Sequence, residues 1–200
     1  MKKIVFATNN AHKVSEFRSY FEQMGVEAEI VTIKEIGFTG EIVEDADSFE
    51  GNAYIKAKTL CDYTGLISVA DDSGLMVDAL DGEPGVYSAR YAGENATDAE
   101  NNEKLWAELE KHPEKSKKAR FVCSICVCRP DGETLYVSGE SEGEIIDEYR
   151  GEGRFGYDPI FYYPPFNKTF AEMTSEEKNS ISHRGRALAQ LLKHKDFFNA

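Results

Sequence analysis

The sequence predicts an α/β fold on a mixed β-sheet, because strand-like and helix-like apolar patterns alternate along it and two kinds of strand connection occur. At the N-terminus an apolar run, a helix-period stripe and a second apolar run spell a βαβ crossover. Further on, the turn sequence Arg129-Pro130-Asp131-Gly132-Glu133 between two strand-like runs spells a hairpin. The 200 residues, 41% of them hydrophobic and 12% aromatic, suffice to bury a sizeable core in one domain, or in a domain with a small lobe.

In order, residues 4–7 form the first apolar run, and Val14, Phe17, Phe21 and Met24 recur at helical spacing until Gly25 stops the pattern. An alternating run over 26–33 completes the crossover, and an acidic loop covers 35–47. Asp47 with Glu50 three residues on reads as a capping box, opening a helix that Gly65 ends. A strand over 66–70 leads into the adjacent acids Asp71 and Asp72, and a loop rich in Gly, Pro and Tyr runs to Gly93. Thr97 and Glu100 make a second box, with Leu105, Trp106 and Leu109 as the apolar stripe and Pro113 as the stop. Strand-like runs over 120–128 and 135–137 flank the hairpin turn. A Gly-rich stretch with Phe155 and Tyr157 precedes a strand over 160–162, and Thr174 with Glu177 caps a last helical region reaching Lys193. No repeat, low-complexity segment or linker breaks this order.

Charge and cysteine usage narrow the function. A net charge of −13 disfavours a nonspecific DNA or RNA binder, which needs a basic face to displace counterions from phosphates. An anionic substrate must then be met by a local cluster of cations or by a metal. The first apolar run is too short for a signal peptide, and no segment has the apolar length of a membrane span. Cys126 and Cys128 share one face of a strand and Cys123 the other. With no second thiol or His pair at ligand spacing, buried reduced thiols are favoured over a zinc site. The expectation is a cytoplasmic protein with no membrane or nucleic-acid partner.

Five elements carry possible chemistry. Thr8, Asn9, Asn10, Ala11, His12 and Lys13 lie between a strand and a helix, where N–H groups and the helix dipole favour an anion. The loop lacks the glycines and Lys-Ser/Thr of a P-loop, and loops of this kind are more often caps than phosphate sites. Asn52 and Lys56 share a helix side with Phe49 and Leu60, a place for a snorkelling lysine or a ligand-binding one. Asp71 and Asp72 repel each other and ask for a partner; with Glu44 they could hold Mg²⁺ beside a polyphosphate, or they could simply build a turn. The stretch from Glu152 to Asp158 offers Phe155 and an acid to a planar ligand, or serves as packing. Lys178, His183, Arg184 and Arg186 gather cations near a helix start, against the dipole.

Together, ATNNAHK, SFEGNAYIKAK, ADDSGLMVDALDGEPGVYSARYAG, FGYDPIF and EEKNSISHRGRAL make the chain resemble the inosine triphosphate pyrophosphatase family over nearly its whole length. The resemblance implies one domain over 1–200, an elongated mixed sheet flanked by helices, with two lobes around an active cleft. It implies Mg²⁺-dependent hydrolysis of inosine, deoxyinosine and xanthosine triphosphates between the α- and β-phosphates, in a homodimer. By the same resemblance, Thr8, Asn9, Asn10, Ala11, His12, Lys13 and Lys56 bind phosphates, and Ser73 touches substrate. Glu44 and Asp72 hold Mg²⁺, with Asp72 also the base for water and Asp71 supporting it. Phe155 stacks on the purine, Gly156, Tyr157 and Asp158 shape its pocket, and Lys178, His183 and Arg184 meet the base. The dimer is expected to use the loop over 82–93, with Pro84, Val86, Tyr87 and Tyr91. Two positions depart from the family pattern: Gly51 stands where a Glu is usual, at a helix cost of about 1 kcal/mol against alanine, and Arg154 stands where a Gly is usual. A purine nucleotide sensor without turnover is the alternative reading.

Overall fold

In the computed structural model, which describes residues 2–153 and 155–198, the N-terminal crossover forms as the periodicity requires. β1 (Lys2–Phe6), α1 (Ala11–Met24) and β2 (Ala28–Thr32) follow in order, and β1 pairs with β2 in parallel. Val14, Phe17 and Phe21 bury one stripe of α1, and Phe6 stacks on Phe17 with centroids 4.3 Å apart. α2 (Phe49–Thr64) opens one residue later than the Asp47–Glu50 pattern predicts: its N-cap is Ser48, whose hydroxyl accepts from the Gly51 N–H. Glu50 is then the second helical residue, one short of the position that closes a capping box. Gly65 ends α2 at φ 65°, in the left-handed region that favours glycine.

The largest difference from the sequence pattern is β3 (Ile67–Val77), which runs straight through the acidic pair instead of stopping at Ala70. Short 3-10 turns follow at Asp78–Leu80 and Gly85–Arg90. Pro84 and Tyr91 are buried there and Tyr87 is the exposed ring, so much of the apolar character of 82–93 serves packing. α3 (Asp98–Glu110) begins with the full Thr97–Glu100 capping box and buries Leu105 and Leu109. β4 (Lys118–Cys128) and β5 (Thr134–Ile145) flank the hairpin turn, closed by Arg129 N–H to Glu133 C=O at 2.9 Å. β6 (Phe161–Tyr163) and β7 (Lys168–Thr169) follow. The predicted last helical region is two helices, α4 (Ser175–Ile181) with its Thr174–Glu177 box and α5 (His183–Leu191). They break at Ser182, which turns to ψ 148° and whose hydroxyl accepts from the Gly185 N–H at 3.1 Å, as a capping serine does.

The strands hydrogen-bond in the order β2-β1-β3-β4-β5-β6-β7. The sheet is mixed: β1 is parallel to both β2 and β3, whereas β6 is antiparallel to β5 and to β7. The chain divides into two compact units, one of Met1–Asp72, Cys123–Gly139 and Arg186–Ala200, the other of Ser73–Val122 and Glu140–Gly185. In the first, Ile4, Phe17, Val69, Ile125 and Leu188 centre one core, and Val5, Ala53, Leu60, Ala70 and Cys126 centre another. In the second, Leu75, Leu105, Phe121, Phe161 and Phe170 centre the core. All four cysteines are free and buried; Cys123 lies in one core of the first unit, Cys126 and Cys128 in the other, as strand alternation predicts. Among the described residues no helix is long and apolar enough to cross a membrane.

Candidate active site

In the first unit the acidic pair finds two lysines. Successive residues on a strand point to opposite faces, so Asp71 and Asp72 meet different neighbours. Lys13 of α1 donates to both carboxylate oxygens of Asp71, at 3.0 and 2.8 Å, and Asp71 is only 4% exposed. Lys56 of α2 lies 2.6 Å from Glu44 and 3.5 Å from Asp72. This neutralisation is what lets β3 continue through two like charges.

Lys56 is therefore neither a mere cover for apolar surface nor a free cation. Its side chain is 13% exposed; burial alone would depress its ammonium, but Asp72, Glu44 and Asp71 outweigh burial and hold it above the usual lysine value. Burial lifts the Asp72 carboxyl above the ordinary carboxylate range, with Glu44 and Asp71 adding to the rise and Lys56 and Asn52 opposing it. One ammonium shared between two carboxylates leaves Asp72 ready to take up a proton.

Asn52 ties these groups together. Its side-chain oxygen accepts from the Ala46 N–H at 3.0 Å, and its side chain also hydrogen-bonds Asp72, so it links the Glu44 segment to β3. Gly51 belongs to the same arrangement. A Cβ there would lie 2.6 Å from the Ala46 Cβ, so the glycine admits a close approach of the Glu44 segment to α2. The helix cost of about 1 kcal/mol relative to alanine is thus no gain waiting to be recovered, because overpacking costs about 1–3 kcal/mol.

The loop before α1 is built largely from local caps. Thr8 Oγ1 accepts from the Asn10 N–H at 3.1 Å, and Asn10 Oδ1 accepts from the Lys13 N–H at 3.3 Å. Asn9 Oδ1 accepts from the Lys34 N–H at 3.2 Å. Ala11 opens the helix, while the side chain of His12 lies outside the described residues. Thr8 and Asn10 thus fix the start of α1 through their side-chain oxygens as acceptors. Ser73, half-buried, is the next residue of β3 and the first of the second unit.

The other predicted residues belong to the second unit. Phe155 is 73% exposed, as a ring kept for a ligand would be. Gly156 is bonded on both sides: its N–H donates to Asp98 at 2.7 Å and its C=O accepts from Asn102 Nδ2 at 3.1 Å. Tyr157 is buried and donates to the Ser88 C=O at 2.8 Å. Asp158 pairs with Lys178; burial raises its carboxyl above the usual range while Lys178 pulls it down. His183 lies parallel to Phe121, centroids 5.0 Å apart, so one face of its ring is taken by packing. Arg184 sits half-buried in the first turn of α5. Arg154 falls outside the described residues. Sequence reasoning missed Asp98, Asn102 and Ser88. The one faint signal, for Asn102, was a pair of adjacent asparagines, poor helix formers, at the fourth and fifth positions of α3.

A metal fits the first unit on the chemistry of its donors. Among the described residues no group of three or more His, Cys, Asp or Glu side chains is arranged to hold an ion. Two carboxylates converging on one cation instead suit a hard, hydrated ion such as Mg²⁺, which takes its other ligands from water and phosphate oxygens.

Comparison with known proteins identifies the family. Residues 4–194 match the model of the Ham1 family. A dITP/XTP pyrophosphatase of Lactobacillus acidophilus is 50% identical over 195 residues, 96% of each chain, and one of Clostridium perfringens is 46% identical over 197 residues, again 96% of each. Among solved structures, a Ham1 protein from Coxiella burnetii superposes with a TM-score of 0.92 at 42% identity, covering 97% of this chain and 98% of that one. The Staphylococcus aureus Ham1 protein gives 0.90 at 42% identity and 98% coverage of both.

Proposed function

The chain belongs to the Ham1 family, and from that premise we propose that it hydrolyses non-standard purine nucleoside triphosphates, those of inosine, deoxyinosine and xanthosine, to monophosphate and pyrophosphate. The observation that carries the proposal is the convergence of Glu44 and Asp72 on Lys56. Glu44 and Asp72 would hold Mg²⁺, which would neutralise phosphate charge and acidify a water. Asp72, raised by burial, is suited to accept the proton of the attacking water near neutral pH. Lys13 and Lys56 would supply cations to the phosphates, with the N–H groups at the start of α1 beside them. An acidic protein thereby handles a polyanion through a few local charges.

In this reading the phosphate end is served by residues of the first unit. Phe155, Gly156, Tyr157, Asp158, Lys178, His183 and Arg184 would serve the base end. Arg184 and His183 would donate to the 6-oxygen of inosine or xanthosine, whereas the 6-amino group of adenine would set donor against donor, at about 1–3 kcal/mol for one buried contact. The four buried free thiols suit a reducing, cytoplasmic setting.

Incubation with inosine triphosphate and Mg²⁺ should yield inosine monophosphate and pyrophosphate in equal amounts, and chelator should abolish this reversibly. Orthophosphate release, or saturable binding without turnover as in a sensor, would overturn the proposal. A homodimer belongs to the same reading, with Tyr87, 57% exposed, as surface for it; a monomer mass by light scattering at micromolar concentration would refute it.

A further inference from the structure

Helix α3 carries three polar side chains that the chemistry above does not use. Asp98 and Asn102 are four residues apart and so lie on one side of the helix. They take, respectively, the N–H and the C=O of Gly156, at 2.7 and 3.1 Å. Asn101, beside them, accepts from the Ala92 N–H at 2.8 Å and donates to the Ala89 C=O at 3.1 Å. The loops at 85–92 and 155–158 are joined to each other by Tyr157 O–H to Ser88 C=O at 2.8 Å. In turn, Ser88 Oγ accepts from the Leu75 N–H at 2.9 Å. α3 and the two loops thus form one hydrogen-bonded ring within the second unit, to which Leu75 of β3 is tied through Ser88.

Each link has a reason to be rigid. Asn101 and Asn102 are both 2% exposed, and a buried amide in a helix interior is retained against its low helix propensity. Asn102 Oδ1 finds no hydrogen-bond partner among the described residues. An apolar residue of the same shape would leave the Gly156 C=O without this donor, so the amide is kept for the bond it gives to Gly156. Gly156 has φ +55°, a conformation that leaves its backbone open to both partners. Phe155, next to it, is tied only at its C=O, which accepts from the Asp158 N–H at 3.1 Å among the bonds described, while its ring is the most exposed large apolar side chain described.

We propose that Asp98 and Asn102 are positioning residues for base selection: by clamping both sides of Gly156 they hold the Phe155 ring where it stacks on the purine. This rests on the reading of Phe155 as the stacking residue for inosine triphosphate. Neither side chain need touch the nucleotide; the clamp holds the ring ready before binding, which lowers the ordering cost of the complex.

The test uses the full-length protein with Mg²⁺, inosine triphosphate and ATP, comparing Asn102→Leu, Asp98→Ala and Asp98→Asn. Asn102→Leu and Asp98→Ala should each raise KM for inosine triphosphate by roughly 10-fold or more and shrink the inosine-to-adenosine ratio of kcat/KM, with kcat changed by less than about 3-fold. Asp98→Asn keeps an acceptor oxygen and should restore most of the loss. Asp98 is exposed, so its variants keep the proposal testable should Asn102→Leu fail to fold. Unchanged KM and unchanged ratio in folded variants would overturn the clamp while leaving the hydrolase reading intact. A parallel loss of kcat and melting temperature with KM unmoved would also overturn it, as a structural role. A wild-type protein that does not hydrolyse inosine triphosphate would instead remove the premise.

Discussion

Asp72→Asn should lower turnover of inosine triphosphate by about three orders of magnitude or more while leaving the protein as stable as before, or more so. The amide keeps the shape of the carboxylate but cannot accept the proton of water, a function worth about 10²–10⁴ in rate, and it removes one of the two charges that would hold the metal. The stability sign follows from the raised Asp72 carboxyl. A carboxyl raised by folding binds its proton more tightly in the native state, so its contribution is most favourable at low pH and declines as pH rises from the unfolded value through the folded one. At neutral pH the wild type carries that cost and the amide does not. Lys56 keeps Glu44 at 2.6 Å as its partner, so no bare ammonium is left. Calorimetric titration of the nucleotide-free protein with Mg²⁺ should show weakened binding, and the urea midpoint should not fall. Near wild-type turnover in the folded variant would remove Asp72 from the centre of the chemistry.

The same acidic pair shows where sequence reading succeeds and where it stops. Apolar spacing located α1, Gly65 and the Thr97–Glu100 box because each depends on residues within one turn of one another. It placed the end of a strand at Ala70 because two adjacent charges look like a boundary, and the strand continues because Lys13 and Lys56, 58 and 16 residues away from their partners in the chain, neutralise them. The Ser48 cap is a local rule applied one residue off; the break at Ser182 is a local signal hidden inside a polar run. At the candidate site, family-like motifs named most of the groups, yet they said nothing of how Gly51 admits the Glu44 segment or how Asp98 and Asn102 hold Gly156. Those contacts join residues 5 to 58 positions apart, and the longer ones leave no periodic trace. The polar loop at 8–13 read by itself more as caps than as phosphate donors, and its Thr8 and Asn10 oxygens do accept capping bonds.

Lys13→Met should have the largest effect on stability, and a second substitution should separate that effect from catalysis. The Asp71 carboxylate is buried and takes two hydrogen bonds from Lys13; removing one partner of a buried pair costs about 3–5 kcal/mol, and here the Lys56 ammonium, which also acts on Asp71, offsets part of it. Lys13 is itself 24% exposed, so the lower end of that range, about 3 kcal/mol, is the expected loss in urea denaturation. Adding Asp71→Asn removes the stranded charge, and the double variant should recover most of the stability, since a buried ion pair replaced on both sides is often nearly neutral. Turnover should not recover with it. If Lys13 also serves the phosphates, the double variant lacks a cation that acts on the substrate and its kcat/KM should remain down by roughly 10- to 100-fold, about 1.4–2.7 kcal/mol in transition-state binding. Salt distinguishes the two roles further, because the wild-type KM should rise with ionic strength more steeply than that of the double variant, which has one fewer phosphate-facing charge. A double variant that regains wild-type kcat/KM together with its stability would confine Lys13 to neutralising Asp71, and would leave phosphate binding to Lys56 and the N–H groups of α1.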